Sequence, residues 1–202
     1  MKKNKDWNGN KNSIYKTLGA NNHCDHEYEE YGFYATDPVA IDKLLTKEIL
    51  SNNVWECASG SGCLSNRLKE HGVNVFSTDI VDRGCCDEIV DFLNCDKEFK
   101  GDIITNPPYK FAKEFVLKAL DILQDGYKCF MFLKIQFLEG KARYKELFSK
   151  YPPKKVYVFS ERVMCAKNGN FEEMKAGGGS AVAYAWYVWE KGFNGETIIS
   201  WL

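Results

Sequence analysis

Apolar residues along the chain fall into two alternating kinds of run. Short, nearly continuous stretches read as buried strands: Val54-Trp55-Glu56-Cys57-Ala58, Val73 to Thr78, Ile89-Val90-Asp91, Ile103-Ile104, Cys129 to Leu133, Val156 to Phe159 and Ala181 to Trp189. Between most of them, apolar residues recur at helical spacing. Ile41, Leu44, Leu45 and Ile49 form one such set, and Leu64 and Leu68 a second. Phe111, Phe115, Val116, Leu120 and Leu123 form a third; Tyr144, Leu147 and Phe148 mark a fourth. Asp37 or Thr36 can cap the first helix with Pro38 at its first position. Gly72 is a natural stop for the second, and Pro152-Pro153 for the fourth.

Strand and helix alternate until the last two strands, which no convincing helix separates, so those two are expected to be antiparallel. The prediction is an α/β fold in three layers: a mostly parallel, seven-stranded sheet with one antiparallel strand in a C-terminal hairpin. Residues 1–32 are polar and lack a sustained period, which predicts an arm or lid preceding a domain over 33–202. Residues 162–180, with Gly177-Gly178-Gly179, form the hairpin connection.

Composition changes this picture little: the chain is 45% apolar and 27% charged, and no run approaches the ~18 apolar residues that would span a membrane. The basic start Met1-Lys2-Lys3-Asn4-Lys5 has no apolar stretch behind it, as a secretory signal would. The eight cysteines include an adjacent pair, Cys85-Cys86, and no Cys-x-x-Cys, so reduced thiols and a cytoplasmic setting are expected. His23-Cys24-Asp25-His26 resembles a metal cluster, but four adjacent residues cannot close a tetrahedron. A polar lid contact is the expectation there, with no metal.

Charge adds a local feature. The net charge is −1, so the chain is not a polycation. Residues 141 to 155, however, hold Lys141, Arg143, Lys145, Lys150, Lys154 and Lys155 against Glu146, and residues 1–16 hold five lysines against Asp6. Each group is either a phosphate contact or simply a solvated surface.

The chemistry concentrates at predicted strand ends. In an open α/β sheet, ligands bind at the carboxyl ends of strands near the switch in strand order. Glu56 to Gly62, Asp79, Asp91 and Asn106 to Tyr109 all fall there. The Gly60-Ser61-Gly62 turn admits close approach of a ligand. A third glycine of a dinucleotide fingerprint would fall at position 65, which is Ser65. Asp79 follows the next strand at the spacing expected of an acid that grips ribose hydroxyls, so the site suits an adenosine-containing cofactor. Asn106-Pro107-Pro108-Tyr109 is a stiff spur: two prolines end the strand and push Asn106 out of helical space. The Asn106 side-chain oxygen and the Pro107 carbonyl can accept hydrogens from an amino group, and Tyr109 can stack on a planar group carrying it. Such a site works by positioning and fixed dipoles.

On these residues the chain resembles class I S-adenosylmethionine-dependent methyltransferases that methylate a planar amino or amide nitrogen. The carriers are Glu56-Cys57-Ala58-Ser59-Gly60-Ser61-Gly62, Asp79, Asp91-Phe92 and Asn106-Pro107-Pro108-Tyr109, in that order. The resemblance implies a Rossmann-like methyltransferase fold and S-adenosyl-L-methionine as cofactor. Gly60 and Gly62 would pass under the cofactor, with Glu56 and Ala58 beside them. Asp79 would hold the ribose, Ile80 would pack on the adenine, and Asp91 with Phe92 would meet the adenine amine. Tyr34, Thr36 and Pro38 would touch the methionine end. Asn106, Pro107, Pro108 and Tyr109 would bind the target, with Asn106 also bordering the cofactor.

The same tetrapeptide serves DNA adenine-N6, RNA adenine-N6 and glutamine-amide enzymes. Both candidate recognition segments, 1–32 and 162–180, are small, which argues against long-site recognition and a restriction-type role. The compact body and the basic cluster at 141–155 suit a small, phage-like DNA adenine methyltransferase, and the extra N-terminal helical domain usual in release-factor glutamine enzymes is not expected here. DNA is expected as the partner, ahead of RNA and of a protein glutamine. A nicotinamide-dependent oxidoreductase is disfavoured by Ser65 and the proline spur. A non-catalytic nucleic-acid-binding module would have no need of Asn106 and Tyr109.

Overall fold

In the computed structural model, which describes residues 34–167, 171 and 182–202, the buried apolar runs line up as one eight-stranded sheet. In chain order the elements are β1 (Tyr34–Thr36), α1 (Val39–Leu45), β2 (Asn53–Glu56), α2 (Cys63–Glu70), β3 (Asn74–Asp79) and β4 (Glu88–Ile89). Then follow β5 (Asp102–Thr105), α3 (Ala112–Ile122), β6 (Lys128–Lys134), α4 (Lys141–Arg143), β7 (Lys155–Val158), β8 (Cys165–Lys167), β9 (Tyr184–Glu190) and β10 (Ile198–Trp201). The expected arm at 1–32, with His23-Cys24-Asp25-His26, and Gly177-Gly178-Gly179 lie outside the described residues.

The sheet order is β10-β7-β9-β6-β5-β2-β3-β4. β9 runs antiparallel to both β6 and β7, while every other pairing in this sheet is parallel. The expected α/β class and the single reversed strand are thus present. The sheet has one more strand than the seven expected, because β10 joins β7 at the edge. Ile198, Ile199 and Trp201 of β10 are all exposed, so that strand shows no buried alternation for a sequence pattern to reveal.

Alternation along the central strands feeds two cores, one on each face. Cys129, Met131 and Leu133 of β6 join Trp55, Ile103, Tyr187 and Trp189 beneath Phe115, Val116 and Ala119 of α3. Phe130 and Phe132 point the other way, to Val54, Ile104 and Trp186 beneath Ile41 and Leu44 of α1 and Leu64 and Leu68 of α2. These are the three layers. Gly101 matters to the register: a Cβ there would collide with the Asn53 carbonyl, so glycine lets the chain enter β5 close beside β2.

Two helices depart from expectation. α1 ends at Leu45, and Ile49 is 90% exposed rather than on its apolar face. The reason is Glu48, whose buried carboxylate accepts from Lys128 Nζ (2.7 Å), Lys155 Nζ (2.8 Å) and Tyr157 Oη (2.6 Å). Those bonds pull the chain off the helical path. The fourth helix is α4 running on as a π-helical turn over Tyr144–Phe148, with Leu147 buried and Tyr144 exposed.

A second, two-stranded sheet pairs β1 with β8 antiparallel, setting Thr36 opposite Cys165 and Tyr34 opposite Lys167. Its strands are three residues long and far apart in sequence, and neither was visible as a period. Among the described residues no helix is long and apolar enough to cross a membrane.

Candidate active site

β5 ends at Thr105, and Asn106 follows at its carboxyl end. Pro108 sits at φ −54°, ψ 117°, an extended conformation that turns the chain before Tyr109 opens a short 3-10 turn into α3. The Asn106 amide nitrogen is committed to the β1–β8 ribbon. Nδ2 donates to the Tyr34 carbonyl (3.0 Å), to Thr36 Oγ1 (2.9 Å) and to Cys165 Sγ (3.3 Å). Its other end is free to accept: Asn106 Oδ1 is buried and has no hydrogen-bond partner among the described residues. A buried acceptor left unmade costs roughly 1–3 kcal/mol, which a donor from a ligand would recover.

Tyr109 stands beside it. Its hydroxyl lies 3.3 Å from Cys165 Sγ, and burial pushes its phenol well above the usual tyrosine range. Its ring stacks on Tyr184 (centroids 6.1 Å, 28°) and tilts against Tyr34 (6.1 Å, 33°). Tyr184 in turn stacks on Phe132 at 5.0 Å. The spur thus ends in an aromatic wall shared by β1, β6 and β9.

The glycine turn lies at the carboxyl end of β2, next to β5 in the sheet. Gly60 and Gly62 both take positive φ (56° and 77°), the region side chains disfavour. A Cβ on Gly62 would also press on the Asn66 amide at 3.3 Å. The turn is tied to β3 twice: Ser59 N donates to the Thr78 carbonyl (2.9 Å) and Gly60 N to Asp79 Oδ2 (2.8 Å). Asp79 Oδ1 accepts from Val81 N and Arg83 Nη1, each at 2.9 Å. A carboxylate offers about four acceptor positions, so these three donors leave one open. Ser59 Oγ is buried with no partner among the described residues. An orphaned hydroxyl, two glycines and an acid with spare acceptor capacity fit a ribose-bearing ligand at this turn.

Glu56 has a different surrounding. It is 1% exposed and accepts the hydroxyl of Ser65, the residue where a third glycine would have stood. Burial pushes its carboxyl up to about 8, and the charge of Asp79 adds to the rise. At neutral pH it is therefore mostly protonated. Asp91 is exposed and caps its own turn, accepting from Leu93 N (3.1 Å) and Asn94 Nδ2 (2.8 Å). Phe92 is 2% exposed and packs in the core, edge-on to Trp55 at 5.3 Å and against Phe115 at 5.1 Å. Ile80 is 45% exposed, open for contact, and Ala58 packs partly against the core.

Tyr34 and Thr36 lie against Asn106, so the structure groups them with the spur. Pro38 opens the turn into α1, with Asp37 accepting from Val39 N at 3.1 Å. Pro107 is buried. Of the basic residues at 141–155, three are engaged internally. Lys154 pairs with Glu190 (2.6 Å), Lys155 pairs with Glu48, and Arg143 donates to backbone carbonyls and lies 4.3 Å over the Phe137 ring. Lys141, Lys145 and Lys150 are exposed. Sequence reasoning missed Cys165, Tyr184 and Ser65 as members of the site. Cys165 fell in a segment without pattern, Tyr184 read as an ordinary strand residue, and Ser65 was counted only as a missing glycine.

Among the described residues no cluster of His, Cys, Asp or Glu could hold a metal ion. A cavity of about 280 Å³ lined by Asn53, Asn74 and Phe99 opens at the amino ends of β2 and β3, the end away from Asn106.

No protein-family model and no curated protein matches the sequence. Solved structures do. A Listeria monocytogenes protein assigned as a class I S-adenosylmethionine-dependent methyltransferase aligns at TM-score 0.53 and 13% identity, over 82% of this chain and 62% of its own. An Agrobacterium tumefaciens protein assigned as an O-methyltransferase aligns at 0.52 and 11%, over 82% and 84%. A dimethyladenosine transferase from Plasmodium falciparum aligns at 0.50 and 16%, over 78% and 63%. The chain therefore spans under two thirds of the length of the Listeria and Plasmodium proteins. With the strand order, the reversed β9 and the glycine turn in place, the chain has the Rossmann-like fold of class I S-adenosylmethionine-dependent methyltransferases.

Proposed function

We propose that the protein is an S-adenosylmethionine-dependent N-methyltransferase that methylates adenine N6 in DNA by direct in-line transfer. One observation carries the reading: Asn106 Oδ1, buried without a donor among the described residues, at a strand end adjacent to a ribose-compatible turn. S-adenosylmethionine supplies an electrophilic methyl group on a sulfonium. Gly60, Gly62, Ser59 and Asp79 would hold it, with Ile80 and Asp91 on the adenine side and Glu56, Ala58 and Phe92 supporting from beneath.

The chain's own contribution is to position the attacking amine. Fixing Nδ2 to Tyr34, Thr36 and Cys165 locks the amide so that Oδ1 faces away from the ribbon as an acceptor. Asn106 Oδ1 and the Pro107 carbonyl then accept the two amine hydrogens, which draws the nitrogen lone pair out of conjugation with the ring. Tyr109 stacks on the ring plane and limits its tilt. No strong base is required, since the proton leaves after the nitrogen has become cationic.

Tritiated-methyl transfer to DNA, RNA and a protein lysate in parallel tests this, with digestion of the labelled product. N6-methyladenine from DNA is the expected label. Methylglutamine, or label confined to RNA, would replace the proposed substrate.

A further inference from the structure

Most half-buried lysines elsewhere hold carboxylates, among them Lys113 with Glu146 and Lys154 with Glu190 at 2.6 Å, and Lys128 and Lys155 with Glu48 at 2.7 and 2.8 Å. Lys191 donates instead to the Leu120 carbonyl at 2.5 Å, and Lys118 holds no carboxylate among the described residues. Lys134, the last residue of β6, is also half-buried, yet no carboxylate lies within ion-pair distance of it among the described residues. Its Nζ lies 5.0 Å over the ring of Tyr109. Burial holds its ammonium below the usual lysine range.

The position is built rather than incidental. Lys134 pairs in register with Tyr184, so both side chains leave the same face toward Tyr109. The Tyr187 hydroxyl donates to the Lys134 and Ile135 carbonyls, each at 3.1 Å, and Ile135 N donates to the Ala183 carbonyl at 3.0 Å. The backbone bearing the ammonium is thus pinned to β9. A cation–π contact compensates an ammonium far less than a partly buried charge loses in hydration. An anion arriving with the substrate would restore the balance. Lysine suits a phosphate as a compact point charge.

We infer that Lys134 binds a phosphate of the methyl-accepting substrate, beside the nucleotide whose amine Asn106 accepts. The inference rests on the proposed nucleic-acid substrate and adds a substrate-binding residue to its acceptor side. The phosphate can belong to a strand or to a free nucleotide, and two assays separate these sources.

The test is fluorescence anisotropy of a single-stranded adenine-containing oligonucleotide across a salt series, for wild type, Lys134→Met, Lys134→Gln and Lys134→Arg. Calorimetric S-adenosylmethionine affinity serves as the check on folding. Loss of one phosphate contact should lower the slope of log K against log salt by about 0.7 in the Met and Gln variants and leave it intact in Lys134→Arg. The same two variants should weaken binding about tenfold at low salt. A slope unchanged in the Gln variant, with cofactor binding retained, would overturn the inference while sparing the proposed reaction. Wild-type binding insensitive to salt would remove the nucleic-acid substrate and the inference together. If deoxyadenosine monophosphate competes with the oligonucleotide in wild type but not in Lys134→Gln, the site takes phosphate from a free nucleotide. Competition absent from both, with the slope change present, assigns it to the strand.

Discussion

Ser65 donates its hydroxyl hydrogen to Glu56, and solvent reaches neither side chain: Ser65 is 0% and Glu56 1% exposed. The pair joins the first turn of α2 to the end of β2, directly under the glycine turn. It also gives the site a pH dependence whose sign can be worked out. Glu56 has its carboxyl raised from 4.5 to about 8 by burial, so the folded protein holds a proton that the unfolded chain releases. Stability from this group is fully present below about pH 4.5 and declines as pH rises toward 8, levelling above it. The span corresponds to a loss on the order of 3–5 kcal/mol. Glu56→Gln keeps an acceptor for Ser65 without the charge. It should raise the melting temperature at pH 8 and leave it nearly unchanged at pH 5. Equal shifts at both pH values in a thermal melt would contradict the assignment.

Asn106→Ala should reduce methyl transfer by 10²–10³-fold, about the effect of removing one preorganised acceptor or donor at a reacting centre. Asn106→Asp keeps an oxygen but loses the donors that tie it to Tyr34, Thr36 and Cys165, so it should also be slow. Cofactor affinity by calorimetry should hold within a few-fold in Asn106→Ala. Affinity lost alongside activity would move Asn106 out of the acceptor role.

Asp79→Asn separates two duties of one carboxylate. The amide retains an acceptor for Gly60 N but loses the charge that faces Arg83. The expected result is cofactor binding weakened about tenfold with the fold intact by circular dichroism. Unchanged affinity would remove Asp79 from the ribose site.

The basic stretch at 141–155 should divide by function. Replacing Lys141, Lys145 and Lys150 together with glutamine should flatten the salt dependence of DNA binding and leave the melting temperature within a degree or two. Lys155→Met should do the reverse. It strips one of the two cations from the buried Glu48, costing about 1–3 kcal/mol after allowance for partial solvent screening. Thermal melts and salt titrations on the same preparations distinguish the two groups.

How much of this could be read beforehand depended on burial. Trp55, Ile103, Phe130 and Trp186 sit in strands covered on both faces, and their runs of apolar residues announced the sheet. Ile198 and Trp201 carry the same side-chain types on an exposed edge, where nothing in the pattern marks a strand. Ile49 matched a helical period by chance, and the Glu48 ion pairs decided otherwise. At the site, residues tied to backbone geometry were legible: glycines that need positive φ and prolines that stop a strand. Cys165 and Tyr184 enter only through tertiary contact with Tyr109, and Lys134 only through the absence of a counter-charge among the described residues, neither of which leaves a local signature.

The β1–β8 ribbon has a consequence for the order of assembly. Asn106 is bonded 72 residues back to Tyr34 and 59 residues ahead to Cys165. The glycine turn needs only the span from Ser59 to Asp79 to close its bonds. During synthesis the glycine turn can therefore take shape while Asn106 still lacks its anchor, because distant loop closures come late. Competence for the proposed reaction would then emerge as one of the last events of folding, when the segment carrying Cys165 docks beside Tyr34.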